Sequence, residues 1–182
     1  MFDAIAESAQ RLLKGWSAVV WSIDGDMMRP SAARGGAPGS NDALRQLVSG
    51  LPFKRFFPQD AAGQWTVQQI PDAEAEDVDP IVRQAARLRG WRSNILVPIL
   101  RDGQPVGVIS VGRLEPGAFS DEETSLLQSF ADQAAIATEN ARLLGALTRR
   151  EEELSVTFEH MGDGVVMFDR EFRIASWNRN FQ

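Results

Sequence analysis

The longest unbroken alternation of apolar and polar positions runs from Ser120 to about Met161, with no proline and a single glycine, Gly145. Apolar residues recur in steps of three and four at Leu127, Phe130, Ala134, Ala137, Ala141 and Leu144. They resume at Leu147, Leu154, Phe158 and Met161, with Glu151 as a polar intruder. This spacing predicts one helix, ~60 Å long at ~1.5 Å per residue, carrying a coiled-coil or bundle seam. Two successive steps of three, from Ala141 to Leu144 to Leu147, slip the heptad phase. The pattern fits either a helix that covers one sheet or a helix that joins two domains, and the slip favours the second. Ser120 and Glu123 form a capping-box pair, and Asp121, Glu122 and Glu123 suit the positive end of the helix dipole.

Upstream the periodicity alternates between 3.6 and 2. Phe2, Ile5, Ala6, Ala9 and Leu12 mark a helix over 2–14 with Gly15 as its stop. WSAVVWSID and DMMRPSAA are apolar, β-prone runs around Asp24-Gly25, a tight-hairpin signal, with Pro30 marking an edge or an early end. RGGAPGSN reads as a flexible loop, and NDALRQLVSG as a short helix with Asn41 as N-cap and Gly50 as stop. Residues 51–63 give no clear signal. QWTVQQI is a candidate strand, and the acidic run 72–79 a solvated loop without the spacing of a calcium loop. Asp79-Pro80 and Gly90 bracket a helix over 80–89. A second hairpin pairs 94–100 with 106–112 around Asp102-Gly103, with Pro98 pointing to an edge or a bulge. The predicted class is α+β: an antiparallel sheet flanked by helices, the first and last of which share one face.

Composition narrows the chemistry. The 182 residues carry 25 acidic and 19 basic side chains, a net charge of −6, which speaks against a nucleic-acid binder. No apolar run is long enough for a membrane span and no signal peptide opens the chain, so a cytoplasmic protein is expected. The absence of cysteine removes thiol nucleophiles, thiolate metal sites and iron–sulfur clusters. No nucleophile elbow or phosphate loop is present, and no enzymatic activity is expected.

The stretch from Asn94 to Leu143 resembles a GAF domain. It has Val97-Pro98-Ile99 in a strand, the Asp102-Gly103 turn, Gly107-Val108, Phe119-Ser120, and Gln133 through Asn140-Ala141. FDAIAESAQRLL and WSAVVWSIDGD extend the likeness more loosely towards the start. The resemblance implies a six-stranded antiparallel sheet with a small-molecule pocket roofed by the middle loops and helices. The tail is similar to the start of a PAS domain: Gly164-Val165-Val166 and Asp169 match a first strand, Arg173 to Trp177 a second, and Asn178 the asparagine that follows. The expected division is a GAF domain over 1–143, a coiled-coil signalling helix over 144–160 and a truncated PAS start, with its β-hairpin, over 161–182.

By resemblance the chain is the sensory part of a signal-transduction protein, most often a histidine kinase. A nucleotide cyclase or phosphodiesterase is the runner-up, and a ligand-free dimerisation spacer the alternative of another class. No cofactor is required. Bilin is disfavoured for want of a cysteine tether. Haem is disfavoured because the only histidine, His160, lies at the end of the long helix and reads as a surface or cap residue. Candidate pocket residues are Trp21, Ile23, Trp65, Trp91, Arg92, Ser93, Val108 and Ser110, with the tryptophans to stack a planar ligand and Arg92 to grip an anion. The same tryptophans also suit plain core packing. The expected partners are a small-molecule effector, a second copy through the long helix, and downstream PAS and output domains.

Overall fold

Period-2 burial organises the main sheet. The computed structural model describes residues 1–48, 51–57, 59–160 and 162–181. They form two compact units, 1–137 and 138–182. In the first, β1 (Ser17–Asp24), β2 (Met27–Gly35), β3 (Gln68–Ile70), β4 (Ser93–Arg101) and β5 (Gln104–Arg113) make one antiparallel sheet in the order β2-β1-β5-β4-β3. Ala18 and Val20, Ile95, Val97 and Ile99, and Ile109 and Val111 all face one side. There they bury Ile5, Ala6 and Ala9 of α1 (Phe2–Leu12) and Leu127, Ala131 and Ala134 of α4 (Asp121–Glu159). The first and last helices thus share one face, and α4 meets it with small residues that allow close approach.

The intervening positions, Val19, Trp21 and Val108, face the opposite side. They pack with Met28, with Leu44 and Val48 of α2 (Ser40–Val48), and with Phe53 and Phe57. α3 (Pro80–Arg89) covers a third, smaller cluster with Trp91 and Ala73.

The sheet has five strands where six were expected. In the stretch 51–63, which gave no clear signal, residues 53–55 form a 3₁₀ turn, and among the described residues the pairing there is limited to isolated bridges, Met27 with Pro52 and Gln59 with Trp65. Pro52 has no N–H to extend a ladder. The strand foreseen in QWTVQQI shrinks to Gln68–Ile70. β2 runs on through Pro30 to Gly35, because it is an edge strand and a bulge opposite Val20 and Trp21 absorbs the proline. Pro98 lies past the last residue of β4 that β3 pairs, so β4 there has a ladder on one side only.

Helix ends follow local chemistry, with two corrections. Asp79 Oδ1 accepts from the Ile81 amide at 2.8 Å, Pro80 takes the first helical position, and Gly90 closes α3 in the left-handed region. The Ser120–Glu123 box forms in both directions. The left-handed residue after α1 is Lys14 rather than Gly15, and the Gly15 amide closes back on the Gln10 carbonyl at 2.8 Å. Gly15 is needed for space, since a β-carbon there would lie 2.4 Å from Val111 Cγ1. Asn41 lies inside α2, which starts at Ser40. Gly50 and Met161 lie outside the described residues. The second hairpin turns through Asp102 and Gly103, both at positive φ, as a two-residue primed turn requires.

In the second unit, α4 continues to Glu159, and β6 (Val166–Phe168) pairs antiparallel with β7 (Ile174–Trp177). Buried Asn178 holds this hairpin. Its Oδ1 accepts from the Val165 amide, and its Nδ2 donates to the carbonyls of Phe158 and Asp163. The foreseen seam divides by burial. Leu127 and Ala134 are buried and Phe130 half-buried, whereas Ala137, Ala141, Leu144, Leu147 and Leu154 are exposed and Phe158 is half-buried. Among the described residues no helix is long and apolar enough to cross a membrane.

Candidate functional site

Between the sheet and its α2–α3 side lies a cavity of about 600 Å³. Its floor is set by strand alternation and register. Ser17, Val19 and Trp21 of β1, Ser110 of β5, and Asn94 and Leu96 of β4 project into it. Val19 pairs with Ser110, which pairs with Leu96; Ser17 and Asn94 both pair with Gly112. Gly112 has no side chain because Trp91 lies there: a β-carbon would stand 2.9 Å from both Trp91 Cβ and Cγ. Trp21 Nε1 donates to Ser110 Oγ at 3.0 Å, fixing the indole along the floor.

The roof is a loop, 71–79, held by arginines. Arg92 grips Asp72 with Nε and Nη2, at 2.8 to 3.0 Å. Arg87 grips Glu74 at 2.8 and 2.6 Å. These guanidiniums hold both carboxyls below their usual range. Arg83 reaches under the loop to the carbonyls of Ala73, Ala75 and Val78. At the far end Arg55 pairs with Asp79 at 2.9 Å, joining the 3₁₀ turn to the start of α3. The acidic run is therefore a braced rim rather than a freely solvated loop. Among the described residues no group of three His, Asp or Glu side chains is placed to hold a metal ion.

Of the eight candidate residues, Trp21, Trp91 and Ser110 line the cavity. The others lie elsewhere. Arg92 is committed to Asp72, and Ser93 Oγ donates to the Glu115 carbonyl at 2.8 Å. Trp65 stands against Phe53 with ring centroids 5.0 Å apart. Val108 and Ile23 belong to the apolar cluster beneath. Among the polar wall residues that were missed, Arg89 and Asn94 are buried, at 1% and 5% exposure. Arg89 is the last residue of α3, and nothing in the sequence analysis singled it out. Its Nη1 donates to Ser40 Oγ at 3.2 Å and to Asn41 Oδ1, and its Nη2 donates to the Arg34 carbonyl at 3.1 Å. Its Nε has no partner among the described residues, and neither does Asn94 Oδ1. Burial pushes the guanidinium below its ordinary pKa.

Residues 1–139, the whole sheet with α1 to α3 and the first half of α4, match the family model of the GAF domain. The chain belongs to the GAF family. Solved structures with the same fold include a domain assigned to a two-component sensor histidine kinase of Sinorhizobium meliloti 1021. It is 17% identical, with a TM-score of 0.65 over 81% of this chain and 94% of that one. The blue-light-absorbing form of the Thermosynechococcus elongatus PixJ GAF domain is 20% identical, with a TM-score of 0.66 over 84% and 90%. A GAF domain/HD domain protein from Geobacter sulfurreducens is 19% identical, with a TM-score of 0.56 over 77% and 91%. No curated protein matches the chain. At these identities the likeness shows the GAF fold. The expectation against a bilin rests on the absence of cysteine and draws no support from the fold, since one of these GAF domains absorbs light.

Proposed function

We propose that this GAF domain is the sensory part of a cytoplasmic signal-transduction protein, a histidine kinase in the leading reading. Its cavity takes a small molecule, and the chain itself catalyses nothing. The observation that carries this is the cavity: about 600 Å³, walled by Trp21, Leu44, Leu96 and Trp91, with a braced rim. That is the size and character of a small-molecule site. A bound guest shifts the balance between packings of the surrounding elements only so far as it prefers one of them. The 39-residue α4, whose alanine-rich first half lies on the sheet, is the element suited to carry such a shift to PAS and output domains. A nucleotide cyclase or phosphodiesterase as the output leaves this reading unchanged.

The exposed leucines 143, 144, 147 and 154 favour a second element of the proposal, a homodimer through α4. They equally support the rival reading of a ligand-free dimerisation spacer. The experiment that separates the two is mass spectrometry of the gently purified chain, before and after denaturation. Sensing predicts a small molecule released on unfolding, and lost when Ser110→Phe fills the cavity. A chain that carries nothing from any host and melts at the same temperature with or without cell metabolites would support the spacer.

A further inference from the structure

Arg89 is a buried cation with no counter-ion. Its partners, Ser40 Oγ, Asn41 Oδ1 and the Arg34 carbonyl, are all uncharged, and no carboxylate pairs with it among the described residues. Burying a charge without a charged partner is costly. The surroundings deepen the deficit, because Ser40 and Asn41 open α2, the positive end of that helix dipole. Those bonds engage Nη1 and Nη2 and leave Nε without a partner among the described residues, a donor of the kind a carboxylate takes.

Gly36 packs directly on that guanidinium. A β-carbon at position 36 would lie 2.8 Å from Cζ, 3.0 Å from Nη2 and 3.1 Å from Nε, nearest the central carbon, so Gly36 covers the face of the guanidinium and not its edge. Asn94 adds a second unsatisfied atom, its buried Oδ1, elsewhere on the cavity wall. Trp91, two residues after Arg89, packs on Gly112, the register partner of Asn94.

We propose that the guest of the cavity is an apolar monocarboxylate, its carboxylate received by Arg89 and its body lying against Trp21, Leu96 and Leu44. This rests on the reading of the cavity as a ligand site. One buried positive charge with a free Nε donor suits a monoanion better than a phosphate dianion. The acids of the lining, Asp72, Asp77 and Asp79, all belong to the rim loop, and Asp72 and Asp79 are neutralised by Arg92 and Arg55.

The test is calorimetric titration of the full chain at pH 7 with 3-phenylpropanoate and with 3-phenylpropanol, which differ in the charged head. The acid is expected to bind about tenfold tighter or more, the gain of a charge-assisted hydrogen-bonded pair. Arg89→Met is expected to erase that preference while alcohol binding persists. Should that variant fail to fold, the unmodified chain gives a second readout. The Arg89 Nε–H resonance is expected to move on adding the acid and to stay in place with the alcohol. Equal affinity for the two probes would overturn the carboxylate inference and leave the ligand site standing. Acid binding that leaves the Arg89 signal unmoved would overturn it as well. Failure of both probes to bind would also overturn it, and the ligand site would then be judged by whether a molecule co-purifies.

Discussion

Gly36 lies flat against the guanidinium of Arg89, so closely that the smallest side chain at that position would strike Cζ at 2.8 Å. The glycine also has φ +80°, which side chains other than hydrogen resist. Two constraints of different origin meet at one residue, and a neighbour separates them. Gly39 has a similar φ of +74° with nothing within 4 Å of its would-be β-carbon. Gly39→Ala is therefore expected to cost about 1 kcal/mol from backbone strain alone. Gly36→Ala is expected to cost about 2–4 kcal/mol, because Arg89 must also be displaced. Urea denaturation of both variants checks this, and equal losses would show that the guanidinium contact matters little.

The rim loop predicts a pH dependence of definite sign. Asp72 is held below its usual pKa chiefly by the hydrogen bonds from Arg92, and Glu74 chiefly by those from Arg87. A depressed carboxyl stabilises the folded loop above its unfolded pKa, and the contribution fades as pH falls through the lower folded value. The bracing is thus complete at neutral pH and is lost only in acid, below the ordinary values of 3.8 for Asp and 4.5 for Glu. Carbon-13 titration of the two carboxyls should give midpoints below those values, and Arg92→Gln should raise that of Asp72. An unmoved Asp72 midpoint in the variant would remove Arg92 as the cause.

The exposed stripe of α4 predicts its own test. Leu144 is 66% and Leu154 62% exposed on a helix whose sheet-facing positions end near Ala134. If these leucines pack against a second copy, light scattering gives a dimer mass for the chain and a monomer mass for Leu144→Glu. A monomer in both cases would leave α4 without the proposed partner.

How much of this was legible in the sequence depended on whether the signal was local. Asp79-Pro80 with Gly90, Ser120 with Glu123, and the Asp102-Gly103 turn each state their geometry within a few residues, and each formed as read. The order of helices and strands and the shared face of α1 and α4 followed from periodicity. Long-range neighbours were not legible. Arg92 looked like a free anion grip, but Asp72, 20 residues earlier, occupies it. Arg89 drew no attention at the end of a well-bracketed helix, whereas Ser40 and Asn41, more than 45 residues before it, draw it into the interior. Strand alternation did give Trp21 and Ser110, because once one residue of a buried strand is placed its second neighbours share the same face. The same rule could have given Asn94, since it shares a face with Leu96. Ser93, chosen instead, is one residue out of phase.

The central claim is that the chamber between Trp21 and the rim loop is real space kept for a guest. Crystals of the chain pressurised with xenon test it most directly, because an apolar void admits that atom without needing a hydrogen bond. The account predicts xenon density among Trp21, Leu44 and Leu96, or an ordered small molecule that excludes it. A chamber closed by Met28 and Phe56, with neither xenon nor guest, would contradict it.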